Sequence, residues 1–389
     1  MAERYPARIT DQRGMSLVDI LVGMVIGLIG MIIVFQSFNA FEGQKRTTTV
    51  TNDAQEGGLM ALTTIEREIR LAGFGMFYAA NPICNSYRQW ANNAVDTVAS
   101  FMPVTVTNGA SNAPDSVTLA FSSSGFGSTP SQVQVTFNGT VAEIVVDNAL
   151  GNRVYNVGDY ILVGKTGSAC TRLQVSGTRP SPDNPQFLAL KVEPTTAAPA
   201  NPPLGNLASL LPSGGYSNEK MTPTSLSVVS NMGQMRRVTY AVVLDANNNG
   251  KLQQQDLTGG GAAIDLAEGI VNMQAQYGIS TSESVQQVSS WVNASGSWAA
   301  PAFSDQGRIK AIRIAVVARS QLREKDIVQS VNATCSNTSG TNNNGPCAWR
   351  DSVANPAPII DLSANSEWRY YRYRVYETII PLRNVMWQY

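Results

Sequence analysis

An unbroken apolar run from Ile20 to Phe35, interrupted only by Gly23, Gly27 and Gly30, constrains this chain more than any other stretch. It has a polar, basic approach, Arg4, Arg8 and Arg13, and one acid at its mouth, Asp19. Sixteen apolar residues rise about 24 Å as a helix. Taken from Met15 to Phe41 the helix reaches about 40 Å, enough to cross a hydrocarbon core of about 30 Å. Arginines on one side of such a span hold that side in the cytoplasm. A carboxylate at mid-bilayer costs roughly 2.5–3.5 kcal/mol, and less near an end. A plain anchor has no use for Asp19, and a secretory signal peptide would end in a small-residue cleavage site that Gln36–Ala40 does not supply.

Arg13-Gly14-Met15-Ser16-Leu17-Val18-Asp19, followed by the apolar run, resembles the class III signal of type IV prepilins and pseudopilins. The resemblance implies cleavage by a prepilin peptidase between Gly14 and Met15 and methylation of the new Met15 amine. It also implies that Asp19, standing where that family usually has Glu, pairs with the terminal amine of a neighbouring subunit. Met15 likewise stands where the family usually has Phe. Gly23, Gly27 and Gly30 fall on one helical face, where small residues let a second helix approach closely.

Past the span, Leu59, Leu62, Ile65 and Ile69 recur every three or four residues, so the helix continues with one apolar face. Gly57-Gly58 predicts a bend, Gly43 a weak point, and Gly73 and Gly75 the stop. From Phe77 the period switches to two. Strands are predicted over 116–121, 132–137, 141–146, 159–163, 187–192, 237–244, 270–279, 309–318 and 370–380, with a long loop over 194–215. The expected organisation is a leader, 1–14; a membrane or filament-core helix, 15–41; its amphipathic continuation, 42–75; and a β-rich head, 76–389, with a subdivision near 194–235. The fold class expected is α+β and pilin-like, a long N-terminal membrane-spanning helix packed on antiparallel sheet.

Charged residues make up 14% of the chain, against about 25% in ordinary soluble domains. Without residues 1–14 it carries 25 basic and 26 acidic residues, so bulk charge indicates no polyanion partner. Four cysteines, Cys84, Cys170, Cys335 and Cys347, all follow the span, and an even count in an exported domain favours disulfides. Three connectivities are open, and nearest-neighbour pairing, Cys84–Cys170 and Cys335–Cys347, is the one expected. Zinc is disfavoured because there is no C-x-x-C spacing and no histidine. The lack of histidine, of G-x-S-x-G and of a phosphate loop also leaves catalysis without support.

Two motifs in the head carry candidate chemistry. Asp245 to Asp256 matches D-x-N-x-N-G with an acid at position twelve, so Asp245, Asn247, Asn249 and Asp256, with the Lys251 carbonyl, are candidate Ca²⁺ ligands. An Asn-Gly hairpin turn is the competing reading, and no cofactor is required by either. Arg369, Arg372, Arg374 and Arg383 among Trp368, Tyr370, Tyr371, Tyr373 and Tyr376 suggest single-stranded DNA contact. Alternation along a half-buried strand explains the same pattern without nucleic acid.

Arg67–Gly75, Glu268-Gly269-Ile270 running to Gln276-Tyr277-Gly278, Ile309–Ser320 and Pro381-Leu382-Arg383-Asn384 resemble the PilW family of minor pilins. What that implies is a non-enzymatic subunit that primes or assembles a type IV pilus, sits at its tip and supports twitching motility and adhesion. The partners implied are other minor pilins, the major pilin, the inner-membrane assembly platform and a tip adhesin. The chain would wait in the inner membrane, amino terminus cytoplasmic and head periplasmic, before joining the filament. A type II secretion pseudopilin and a membrane-anchored binding protein for DNA or a surface ligand are the alternatives.

Overall fold

The computed structural model describes residues 17–386, apart from 79–80, 100, 111–112, 128, 148–153, 166–167, 218–226, 259, 332, 335–341 and 350–356. By its internal contacts the chain divides into two units, residues 1–52 and 53–389. The fold class is α+β, with one apolar N-terminal helix and several largely antiparallel sheets.

Helix α1 runs from Leu17 to Ile69 without a break. Its first part, Leu17–Glu42, is long and apolar enough to cross a membrane. The expected bend at Gly57-Gly58 does not form, because these glycines meet the demand of close packing rather than of flexibility. A Cβ on Gly57 would stand 2.9 Å from the Glu268 carbonyl oxygen, and one on Gly58 would overlap the Tyr376 ring. Around them the buried face is Ala54, Ala61, Leu62, Ile65 and Ile69, while Leu59, expected on that face, is 51% exposed. Small residues at one end of the face bring the helix backbone down onto the sheet, and large ones fill the wider gap further on.

The turn that ends the helix is held from the far end of the chain. Asn384 Nδ2 lies 3.4, 3.2 and 3.1 Å from the carbonyl oxygens of Arg70, Leu71 and Ala72. Carbonyls at a helix C-terminus lack intrahelical partners, and this side chain supplies one. Gly73 and Gly75, at φ +82° and +79°, turn the chain into the sheets.

Among the described residues four sheets have three or more strands. A four-stranded sheet has the order Ser290–Asn293, Ile270–Ile279, Ile309–Arg319, Tyr373–Pro381, all antiparallel. A five-stranded sheet orders Ile264–Glu268, Gly250–Asp256, Arg236–Leu244, Ser116–Phe121 and Val104–Thr107. A six-stranded sheet contains the one parallel pair among the named strands described, Cys84–Ala91 with Ser168–Gln174. A three-stranded sheet, Gly177–Pro180, Phe187–Lys191 and Glu143–Asp147, shares a second core with Leu207 and Leu210 of the helix Leu204–Leu210. That helix lies inside the segment expected to be loop. The strand expected over 132–137 reduces to Ser131–Gln132 with single bridges at Val133 and Phe137.

Ile309–Arg319 is buried at every position. One face of its sheet packs with α1 residues Ala61 to Ile69 in the main core, and the other lies under Ala348 and Ile360. Apart from Lys310, Arg313 and Arg319 the strand is apolar, as one covered on both faces is expected to be.

Asp115 joins the five- and four-stranded sheets. It is 2% exposed; Gly109 N donates to its Oδ1 and Ala275 N to its Oδ2, each at 2.8 Å, and its own N–H donates to the Met273 carbonyl at 2.7 Å. Burial pushes its carboxyl up from an ordinary 3.8 to about 6, with the two N–H bonds opposing. The folded chain therefore binds this proton more tightly than the unfolded chain, and stability is lost as pH rises from about 4 to about 6. The expected size is at most about 3 kcal/mol, from one pKa unit being worth about 1.4 kcal/mol. All six tryptophans lie in the unit 53–389, so their fluorescence reports its unfolding. Relative to Asp115→Asn, the parent should gain stability when pH falls from 7 to 4.5; a constant difference would remove this assignment.

Candidate assembly site

The exposed face of α1 is the first feature that asks for a partner. Leu17, Val18, Ile20, Leu21, Val22, Met24, and onward to Phe41, are 47–74% exposed at every large apolar position. Among the described residues nothing stands within 4 Å of where a Cβ on Gly23, Gly27 or Gly30 would be, so that strip is open to another backbone. Asp19 lies in the first described turn of the helix. Gly14 and Met15 lie outside the described residues.

The candidate calcium ligands are not brought together. Arg236–Leu244 and Gly250–Asp256 pair as a hairpin, with Leu244 opposite Gly250 and Val238 opposite Asp256. Asp256 thus sits about 20 Å along its strand from the turn, at about 3.3 Å per residue. There it meets Arg236 at 3.4 Å and accepts from Thr258 N at 2.9 Å. Asp245 turns its carboxylate onto its own loop: Oδ1 accepts from Asn247 N and Asn249 N, both at 2.8 Å, and Oδ2 from Asn249 Nδ2 at 2.9 Å. These bonds, that of the Asn249 side chain foremost, hold its pKa below the usual range. Lys251 pairs with Asp265 at 2.8 Å. A twelve-residue calcium loop needs a helix after its sixth position to swing the last acid back, and a strand carries it away. Among the described residues no group of three or more His, Cys, Asp or Glu could hold a metal ion.

The loop has a different cation. Arg319 Nη1 donates to the Asn248 carbonyl at 2.9 Å, its Nη2 to Asn249 Oδ1 at 2.6 Å, and its guanidinium lies 4.4 Å from the Tyr371 ring centroid. Arg319 was part of the resemblance but its role was not legible in the sequence, where nothing sets it apart from Lys310 and Arg313 of the same strand.

The arginine- and tyrosine-rich segment is largely engaged within the fold. Arg372 Nε donates to Glu324 Oε1 at 2.8 Å and Arg369 Nε to the Gln329 carbonyl at 3.1 Å. Arg323 covers the Tyr370 ring at 3.8 Å, and Tyr373 Oη donates to the Trp368 carbonyl at 3.1 Å. Trp368 is buried, and Tyr376 packs against Gly58. Rings so engaged do not form an open stacking platform for bases.

Cys84 and Cys170 form a disulfide with 5.5 Å between Cα atoms, both side chains buried. Cys347 is disulfide-bonded as well, and Cys335 lies outside the described residues.

The sequence model of one family, PilW, described as type IV pilus-assembly protein W, matches residues 239–384. No curated protein and no solved structure matches the chain. The matched segment holds the whole four-stranded sheet, Arg319 and Asn384. The match likens this part of the chain to type IV pilus-assembly proteins. One N-terminal apolar helix is compatible with membrane anchoring.

Proposed function

We propose, on the premise that residues 239–384 make this a PilW-family type IV pilus protein, that the chain is a minor pilin which primes assembly and resides at the pilus tip. The observation that carries the reading is the coincidence of that family segment with a helix whose large apolar residues are exposed from Leu17 to Phe41 and whose first described turn holds Asp19. Prepilin peptidase cuts between Gly14 and Met15, and the Met15 amine is methylated. The subunit waits in the inner membrane with its head in the periplasm, then packs through 15–41 against other minor pilins and the major pilin. No catalytic step is needed for this; the assembly platform supplies the work. Motility and adhesion follow from the filament it starts.

The mechanism rests on charge. In lipid or in a filament core, Asp19 is tolerated when a neighbour's terminal ammonium pairs with it. An ion pair shielded from water is costly to break by removing one partner, by roughly 3–5 kcal/mol. Asp19→Ala is therefore expected to be processed to a methylated Met15 start, seen by mass spectrometry, yet to enter sheared pili at least about tenfold less than the parent. Equal incorporation of the processed variant would contradict the pairing.

A further inference from the structure

We infer that the head carries a binding site for a single neutral pyranose, the terminal sugar of a glycan, in a cavity between the Asp245–Asn249 turn, the outer face of the four-stranded sheet and the 361–365 loop. This inference is independent of the filament role. The cavity measures about 220 Å³. That lies below the roughly 300–1,000 Å³ of drug-sized pockets, so it admits one ring rather than a chain.

The walls are unlike packing voids, which are apolar throughout. Asn272 is 2% exposed, and its Oδ1 accepts from Gln274 Nε2 at 2.9 Å. The residue lines the cavity. Arg319, 4% exposed and on the same wall, has an Nε buried without a partner. At the rim Asn365 Oδ1 is committed to Glu367 N at 2.9 Å, which leaves its Nδ2 for a ligand. Val271, Leu362 and the aromatic Tyr373 contribute apolar surface to the lining. Buried polar groups are normally satisfied, so the unmet Arg319 Nε in this wall marks a place for something else to bind.

Charge selects the ligand class. Arg319 spends Nη1 and Nη2 on the turn, and Asp361 also lines the cavity, its carboxyl held below its usual pKa chiefly by the Ser363 side chain. One charge of each sign, both engaged, disfavours an anion and a cation alike. Amide donors beside aliphatic and aromatic walls match a ring that is hydroxylated at its rim and apolar on its C–H face.

The test uses the full chain in a detergent without sugar headgroups. Saturation-transfer NMR is recorded with the methyl glycosides of glucose, galactose, N-acetylglucosamine and N-acetylgalactosamine, and with inorganic phosphate and methyl glucuronide as anionic probes. At least one neutral glycoside should receive saturation and the anions should not. Asn272→Leu should weaken that binding by about tenfold, the value of one lost hydrogen bond. Ala364→Trp, which fills the cavity from an exposed rim position, should abolish it while the fluorescence melting curve stays in place. On an array the sugar should bind when terminal and not when internal. Silence from all four glycosides, a preference for the anions, or binding that survives Ala364→Trp would each overturn the inference.

Discussion

Replacing Cys84 and Cys170 together by alanine is expected to destabilise the head by about 4–5 kcal/mol, the largest effect of any change considered. The two residues are 86 apart in sequence. In the chain-entropy account a crosslink of that span removes close to 4.7 kcal/mol of freedom from the unfolded chain, within a usual range of about 2–5. The bridge also sits at a demanding place. It ties the parallel pair, Cys84–Ala91 and Ser168–Gln174, which no tight turn connects. Cys170 packs so closely that a Cβ on Gly164 would overlap its sulfur. Tryptophan fluorescence in urea measures the loss; a change under about 1 kcal/mol would mean that the sheet holds without the crosslink.

The second large effect reverses a usual sign. Inside a helix, glycine to alanine ordinarily stabilises by about 0.8–1 kcal/mol. Gly58→Ala should destabilise instead, by about 1–3 kcal/mol, because the new methyl overlaps Cε2 and Cδ2 of Tyr376 and lies 3.2 Å from Ala318 Cβ. Neither neighbour yields easily: Tyr376 sits on a strand paired along its length with Ile309–Arg319, and Ala318 belongs to that buried strand. Adding Tyr376→Ala to Gly58→Ala should recover part of the loss, a positive coupling read from the double-mutant cycle. Gly30→Ala, with nothing within 4 Å, should leave the head's unfolding unchanged. If Gly58→Ala raises the melting temperature, the close approach of helix and sheet is wrong.

These residues show where sequence reasoning reached and where it stopped. Periodicity found α1 and the strands 270–279 and 309–318 because long apolar stretches bury themselves on the scale over which the pattern is read. Gly57-Gly58 read as a bend, since local propensity weighs a glycine's freedom and cannot see the tyrosine ring 318 residues away that requires its missing side chain. Leu59 has the right spacing for the buried face, yet Gly58 and Ala61 occupy it, for the same reason. The helix Leu204–Leu210 spans seven residues, too few for a periodic signal; docking of Leu207 and Leu210 makes it. At Asp245 the motif located a turn with its side chain satisfied by local amides, but ligand geometry depends on whether helix or strand follows. Asn384 was legible as part of a resemblance, while its job at the end of α1 needs partners more than 300 residues away in sequence.

The claim on which the rest depends is that this chain helps to build a pilus. It is tested by deleting the gene, restoring it on a plasmid, and probing sheared surface filaments with an antibody to the head. The account predicts that surface pili fall sharply on deletion, return with the restored chain, and carry it as a minor component. Undiminished pili after deletion, with the chain absent from the sheared fraction, would contradict it.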